Sequence, residues 1–152
     1  MYEEIQSTRR RVIVSPVLPT DAKAGTDSPL VAGPVPTSPA KPVEFQNYDK
    51  VEVSIIIPVY NQVRFTLSCL ASVQEHHDGI PFEVIVVDDC STDSTASDIS
   101  RLPGVVYLRN DTNQGFILSC NRGAKVARGK YLLFLNNDTS VTDGWLASLP
   151  ET

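Results

Sequence analysis

Carboxylate and amide side chains stand directly after two apolar runs of the chain. The run YLLFL ends in Asn136, Asn137 and Asp138, and the run VIVV ends in Asp88 and Asp89. Asp138 can supply a hard oxygen ligand for Mg²⁺ or Mn²⁺, which would take its other ligands from phosphate oxygens and water. Asp88 or Asp89 can accept a hydrogen bond from a base N–H group or a ribose hydroxyl. These residue types favour a site for a phosphate-bearing nucleotide and a divalent cation.

Other residues at comparable positions add to this chemistry. A third apolar run, SIIIPVYN, contains Pro58 and ends in Tyr60 and Asn61, and the ring of Tyr60 can stack on a base. Gly115 opens a predicted helix, where backbone N–H groups favour an anion. Neither GxxxxGK[ST] nor GxGxxG follows this run, so a P-loop site or a dinucleotide site lacks its main residues.

The strands predicted to position these residues alternate with helices. Strands are predicted within VEVSIIIPVY, IPFEVIVVDD, GVVYLRN and KYLLFLN, and helices within QVRFTLSCLASVQEHH, STDSTASDISRL and GFILSCNRGAKVARG, with TDGWLASL beginning another helix. This alternation predicts an α/β fold with a parallel sheet, helices on both faces and right-handed crossovers. Ligands of such sheets bind outside the carboxyl ends of the strands, where the candidate residues are expected to meet.

Helical spacing predicts which face of each longer helix is buried. In the first helix, Val63, Leu67, Leu70, Ala71 and Gln74 recur at helical spacing. For the third helix the predicted buried residues are Ile117, Cys120, Ala124 and Ala127.

The first fifty residues differ in composition from the rest. They contain seven of the eleven prolines, and closely spaced prolines remove hydrogen-bond donors and fix φ. Residues 1–48 are therefore predicted to form an extended, disordered arm or linker, and residues 49–152 the folded domain.

Charge, cysteine content and hydropathy argue against several classes of protein. The formal net charge of −5 lies entirely on residues 51–152, because the first fifty residues carry equal numbers of acidic and basic side chains. That balance argues against a nucleic-acid groove. Three cysteines without a CxxC pair favour a reducing compartment over a disulfide framework or zinc site. No apolar run approaches the ~20 residues of a membrane span. A cytoplasmic protein is predicted, with association with the inner face of the membrane left open.

Four segments together resemble the start of a family 2 glycosyltransferase domain. They are VSIIIPVYNQ, FEVIVVDDCSTDST, NQGFILSCNRGAKVARGKYLLFLNNDT and GWLASL, in this order and spacing, and they cover roughly residues 51–149. The third segment looks most like bacterial rhamnosyltransferases and related enzymes of polysaccharide assembly. The resemblance implies the Rossmann-like GT-A fold of nucleotide-diphospho-sugar transferases, with its C-terminal part missing. It also implies inverting transfer of a sugar from a nucleotide donor, UDP- or dTDP-linked, to an acceptor hydroxyl of a saccharide or a lipid-linked acceptor.

The resemblance also implies roles for individual residues. Tyr60 matches the aromatic residue beside the nucleotide base, Asp89 matches the carboxylate that contacts the base, and Asp88 lies near the ribose. The other donor-binding residues that it implies are Pro58, Asn61, Gly115, Asn121, Asn136 and Asn137.

The family's DXD motif falls on residues 136–138. Its last aspartate, the usual metal ligand, is Asp138, whereas Asn136 replaces the first aspartate and adds no charge to the site. The resemblance therefore implies a Mg²⁺ or Mn²⁺ site that is weaker than in relatives with both aspartates. Cys120 stands where many members carry an arginine, so no diphosphate contact is predicted from that position.

Alternatives remain open at this point. The aspartate pair can simply cap the STDST turn, and residues 136–138 can form a solvated turn. A receiver-like or phosphatase-like module would need its acidic pair after the first strand, where IIIPVYN stands. A non-catalytic nucleotide-binding or interaction module of the same fold is the other alternative. The general base of the transfer reaction is expected beyond residue 152, which leaves the donor-binding half to this chain.

Overall fold

The structure, a computed structural model, describes residues 41–146 together with the backbone of a short strand near the N-terminus. The strands of the described part are β1 (Arg11–Val14), β2 (Val53–Val59), β3 (Phe82–Asp88), β4 (Val105–Arg109) and β5 (Tyr131–Phe134). The helices are α1 (Val63–Glu75), α2 (Thr95–Ile99) and α3 (Phe116–Val126). None of these helices has the length and apolar character needed to cross a membrane.

The described strands form one parallel sheet in the order β1-β5-β2-β3-β4. The predicted parallel α/β fold is therefore confirmed. From β2 the chain winds outward through β3 to β4, and α3 then returns it across the sheet to β5, on the other side of β2. The direction of winding thus reverses between β2 and β5. A reversal of this kind opens a crevice at the carboxyl ends of the two strands, because the helices that follow them lead to opposite sides.

Two apolar layers cover the two faces of the sheet, as predicted. One layer joins α1 and α2 to alternate residues of the central strands, such as Ile55, Ile57 and Val86. The other joins α3 to the intervening residues, such as Ile56 and Val87. The near-continuous apolar sequence of the strands follows from burial on both faces.

Gly123 lets α3 approach the sheet closely. A Cβ at this position would lie 2.6 Å from Ile56 Cγ2 and 3.1 Å from Val87 Cγ2. The glycine therefore sets the distance between the helix and the strands, and it lies in the part of α3 that also buries Cys120 and Ala124.

Two details of the predicted helices are wrong. Ile117 was expected to be buried, but it is 52% exposed. It lies in the first turn of α3, where Phe116 and Leu118 are also more than half exposed. The segment TDGWLASL was expected to begin a helix, but residues 142–146 form a turn closed by a hydrogen bond from Trp145 N to Thr142 O, and the rest of the segment lies outside the described residues.

The N-terminal boundary also differs from the prediction of a disordered arm over residues 1–48. β1 pairs with β5 along its length, from Arg11 beside Tyr131 to Val14 beside Phe134. Val43 is buried in the α1 layer, and Phe45 N donates to Pro103 O at 2.9 Å. The described parts of the predicted arm, Arg11–Val14 and residues 41–48, are therefore attached to the folded domain, and the rest of the arm lies outside the described residues.

Candidate functional site

The carboxyl ends of β2 and β5 form an uneven edge. Leu135 N donates to Ile56 O at 3.0 Å, and the chain then leaves the sheet at Asn136, while β2 continues to Val59. Tyr60 follows β2 and is 49% exposed. We call the exposed residues Tyr60, Asn136 and Asp138 the rim. β2 and β5 are adjacent strands, which lie about 4.8 Å apart. The rim residues therefore follow neighbouring strand ends at the point where the winding reverses, where a crevice is expected.

Pro58 lies inside β2 without disturbing the ladder. Val59 O accepts from Asp89 N on the β3 side, and Ile56 O accepts from Leu135 N on the β5 side. Because successive residues of a parallel strand bond to alternate sides, the nitrogen of Pro58 faces the β5 side, beyond the last residue that β5 pairs with. The missing N–H therefore costs no ladder hydrogen bond. Pro58 helps to end the pairing at the crevice.

Asp88 has no exposed surface, and its oxygens are already bound within the protein. Its Oδ2 accepts from Tyr107 Oη at 2.5 Å and from an Arg109 guanidinium nitrogen at 3.0 Å, while Oδ1 accepts from Ser91 N at 2.9 Å. Burial and the bond to Asp88 raise the pKa of Tyr107 to about 12, so Tyr107 remains a donor. This geometry does not support the predicted contact of Asp88 with a ribose.

Asp89 is also largely enclosed, with 6% of its surface exposed. Its Oδ1 accepts from Asn110 Nδ2 at 2.8 Å and Gln114 N at 2.7 Å, and its Oδ2 accepts from Gly115 N at 2.9 Å. Burial raises the pKa of Asp89, but these three hydrogen bonds outweigh it, so the pKa is lowered overall. The carboxylate therefore holds the loop before α3 against the end of β3.

The start of α3 already has an anion of its own. Gly115 precedes the helix with φ +98°, a conformation that side chains rarely adopt. Its N–H group, expected to face a ligand anion, points to the Asp89 carboxylate. The aspartate thus satisfies backbone donors that a helix N-terminus leaves unpaired. The alternative in which the aspartate pair caps the STDST turn fits Asp88, which accepts from Ser91 N. Asp89 instead caps the start of α3, where it occupies the N–H group that was expected to face a phosphate.

Asn61 joins the loops that follow β2 and β3. Its φ is positive (57°), its N–H donates to Ser91 Oγ at 2.6 Å, and its Oδ1 accepts from Thr92 N at 2.7 Å and Asp93 N at 3.2 Å. Asp93 extends this hydrogen-bond network to α1, because its Oδ2 accepts from Val63 N, the first amide of the helix, at 3.2 Å. Asn61 and Asp93 therefore hold the loops that follow β2 and β3 together. The sequence did not predict this structural role for Asn61 or for Asp93.

The three residues predicted as the metal motif have different surroundings. Asn136 and Asp138 are exposed, whereas Asn137 is half-buried and donates through Nδ2 to Thr66 Oγ1 at 3.0 Å. Cys69 Sγ lies 3.8 Å from Asn136 O. Burial, and then the nearby charge of Asp138, raise the pKa of the Cys69 thiol to about 12, so the thiol stays protonated and can donate.

The described residues contain no group of three or more His, Cys, Asp or Glu side chains that could hold a metal ion. The rim offers one carboxylate, Asp138, and one amide oxygen, that of Asn136. Both are hard ligands of the kind that Mg²⁺ and Mn²⁺ accept. The residues therefore fit a cation only if most of its ligands come from a diphosphate and water.

Asn121 lies apart from the rim, on α3. It lines a depression of about 470 Å³ with Asn110, Arg122 and Lys125 among others. Asn121 is 9% exposed, and its Oδ1 is buried without a hydrogen-bond partner. Arg122 donates to Arg109 O and Asn110 Oδ1, each at 2.7 Å, and so ties α3 to the end of β4.

An ion pair between the buried Glu83 and the exposed Arg128, at the opposite edge of the sheet, was not foreseen. Glu83 accepts from Arg128 Nε at 3.0 Å, from Arg128 N at 2.7 Å and from Ser54 Oγ at 2.8 Å. This network links the amino ends of β2 and β3 to the loop after α3. Because the network lies at the amino ends of the strands and the rim lies at their carboxyl ends, we assign the network a structural role.

The comparisons with known proteins agree with this fold. The sequence profile described as "Glycosyl transferase family 2" matches residues 54–151. An uncharacterized glycosyltransferase of Haemophilus influenzae is 41% identical over 86 residues, which are 57% of this chain and 29% of that protein. Human polypeptide N-acetylgalactosaminyltransferase 14 is 37% identical over 106 residues, which are 66% of this chain and 19% of that protein.

A solved structure supports the same assignment. The crystal structure of Staphylococcus aureus TarS, residues 1–349, in complex with UDP superimposes with a TM-score of 0.59 and 29% identity, and the match covers 66% of this chain and 31% of that 1–349 chain. The chain thus spans about a third or less of these proteins. With the family profile matched over more than half of its length, the chain belongs to glycosyl transferase family 2.

Proposed function

We propose that the protein binds a nucleotide-diphospho-sugar and transfers the sugar to an acceptor hydroxyl with inversion, and that this chain supplies the donor-binding half. The observation that carries the proposal is the reversal of winding between β2 and β5, because the rim residues Tyr60, Asn136 and Asp138 stand at that crevice. Ligands of open parallel sheets bind at such a reversal.

The rim offers a separate contact for each part of a nucleotide diphosphate. Tyr60 is exposed and presents a ring on which a base can stack, and the Asn136 amide can hydrogen-bond a ribose hydroxyl. A diphosphate would meet a chain whose residues 51–152 are net acidic. A divalent cation held by Asp138 would offset that repulsion and stabilise the charge of the leaving diphosphate.

The aspartates behind the rim have a supporting part in this proposal. Asp89 holds the start of α3, Asp88 ties β3 to β4, and Asp93 ties the loop after β3 to α1. Each bond fixes backbone that borders the crevice. A site fixed in advance loses less entropy when it binds its ligand.

Transfer with inversion requires the acceptor oxygen to attack the anomeric carbon on the face opposite the leaving diphosphate. A general base takes the hydroxyl proton as the bond forms. We assign that base and the acceptor pocket to the remainder of the protein, since the chain spans only 29% of its Haemophilus relative. The complex of TarS with UDP supports a uridine donor, and dTDP would offer the same diphosphate and pyrimidine imide. We propose a saccharide or lipid-linked acceptor in polysaccharide or glycoconjugate assembly.

Mapping of amide chemical shifts in the 152-residue chain tests donor binding. UDP added with Mg²⁺ should shift the signals of Tyr60, Asn136 and Asp138, with smaller changes along the loop that Asp89 holds. Shifts confined to the outer surface of α1 or to the amino edge near Glu83 would contradict the proposal. Mg²⁺ is used because Mn²⁺ would broaden the signals that the experiment needs.

A further inference from the structure

The segment that follows β5 runs beside α1, where four side chains contact it. Thr66, Cys69 and Ser72 are spaced three residues apart and lie on one face of the helix, and His76 is the residue that follows its last turn. We call these four residues the α1 row. Apolar spacing did not indicate this row, because two of its members are hydroxyl residues and one is a histidine.

The α1 row contacts successive residues of the segment, from the rim at residues 136–137 to Asp143. Beyond the bonds of Thr66 to Asn137 and of Cys69 to Asn136, Ser72 Oγ accepts from Val141 N at 3.1 Å. Ser72 also donates to Cys69 O at 2.8 Å, which fixes its rotamer. His76 Nδ1 then lies 2.5 Å from Asp143 Oδ1.

The far end of the segment is fixed as well. Asp78, just after α1, accepts from Gly144 N at 3.1 Å and from Leu146 N at 3.2 Å. Val141 and Leu146 are buried in the same apolar layer as α1. Between β5 and these attachments lies the turn at residues 136–138, which carries the rim carboxylate of Asp138. Thr139 N closes this turn by donating to Asn136 O at 3.2 Å.

We propose that the α1 row positions Asn136 and Asp138 for the donor, with Thr66 as the principal positioning residue. The link to the donor rests on the proposed function. Thr66 has no exposed surface, and its Oγ1 lies 3.5 Å from Gln62 O, so the hydroxyl hydrogen has a partner within the helix. Its lone pairs are then available to Asn137, whose side chain is turned away from the crevice. Asn137 thereby anchors the turn and leaves Asn136 and Asp138 to face the ligand.

The experiment compares three variants of the 152-residue chain with the wild type. Thr66→Val keeps the shape of the side chain and removes the acceptor, whereas Thr66→Ser keeps the hydroxyl. Ser68→Ala, on α1 but outside the row, is the matched control. Two quantities are measured: amide hydrogen exchange at residues 136–141 in the free chain, and the affinity for UDP with and without Mn²⁺.

Thr66→Val should raise exchange at residues 136–141 about tenfold and weaken UDP binding in Mn²⁺ by roughly three- to tenfold. UDP binding without the cation should change less, since Asp138 acts through the metal. Thr66→Ser should restore both quantities, and Ser68→Ala should alter neither.

Two results would overturn the inference. One is exchange at residues 136–141 that is unchanged in Thr66→Val. The other is faster exchange with unchanged affinity in Mn²⁺, which would make Thr66 a structural residue only. If the wild type itself binds no UDP, the proposed function fails, whereas the exchange measurement still decides whether Thr66 orders the turn.

Discussion

Replacing Asp89 with asparagine should destabilise the fold by an amount that depends on pH. The carboxylate Oδ1 accepts two hydrogen bonds and Oδ2 accepts the third, from Gly115 N. In Asp89→Asn the one remaining oxygen can keep the first two as weaker, neutral bonds, but the new NH₂ group faces the N–H of Gly115. Losing one charge-assisted hydrogen bond and weakening two others should lower the free energy of unfolding by about 2–4 kcal/mol.

The pH dependence follows from the lowered pKa of Asp89. Because the folded-state pKa lies below the unfolded value of about 3.9, the carboxylate stabilises the fold fully at pH well above that value. Its contribution is lost as the pH falls through the folded-state pKa. The difference between wild type and Asp89→Asn should therefore be constant from about pH 5 to 7 and shrink below about pH 4. A protonated carboxyl, like the carboxamide, has only one good acceptor oxygen.

Urea unfolding followed by circular dichroism, at several pH values, measures this difference. Asp111→Asn is the matched control, because Asp111 lies in the same loop and is exposed. It should change stability by less than about 0.5 kcal/mol. An Asp89→Asn variant as stable as the wild type at pH 7, or a deficit that persists unchanged in acid, would refute the capping role. A loss of nucleotide affinity with unchanged stability would favour the base contact that the family resemblance implied.

Three further predictions concern the rim, the helix packing and the chain boundary. Tyr60→Ala should weaken UDP binding by about 1–3 kcal/mol through lost stacking while the melting temperature stays nearly constant; equal affinity in calorimetry would exclude the base contact. Gly123→Ala should destabilise the chain by about 1–3 kcal/mol, because the added methyl overlaps Ile56; an unchanged urea midpoint would contradict the close approach. Limited proteolysis should leave residues 41–48 attached to the resistant core, because Phe45 N is bonded to Pro103 O; a core that mass spectrometry shows to lack these residues would make that packing incidental.

The sequence predicted the sheet well because each central strand is apolar on both faces. Ile55, Ile56 and Ile57 alternate between the two apolar layers, so the run needs helices on both sides. The grouping of polar residues at the carboxyl ends followed from the parallel arrangement alone. Chain order could not predict β1, however, because its partner β5 is more than a hundred residues away. A short apolar run that is soon followed by Pro16 gives no sign of pairing.

The roles of the individual polar residues were harder to predict. A carboxylate after a strand has the same sequence signature whether it faces a ligand or its own backbone. Asp88 is paired with Arg109 by the register of β3 and β4, in which the two residues are neighbours. That register depends on the lengths of the intervening loops, which sequence patterns do not fix. Thr66 was missed for a related reason, since a threonine on a helix reads as a surface residue unless the strand that ends beside it is known.

Titration of UDP by calorimetry, with and without Mn²⁺, in the wild type, Asp138→Asn and Asn136→Asp tests the central claim most directly. Asp138 is exposed at the end of a strand, so the substitution should leave the melting temperature nearly unchanged while it removes the gain in UDP affinity that Mn²⁺ provides. Asn136→Asp adds a charge beside the site and should increase that gain. An equal response to Mn²⁺ in all three proteins would contradict the account and leave residues 136–138 as a solvated turn.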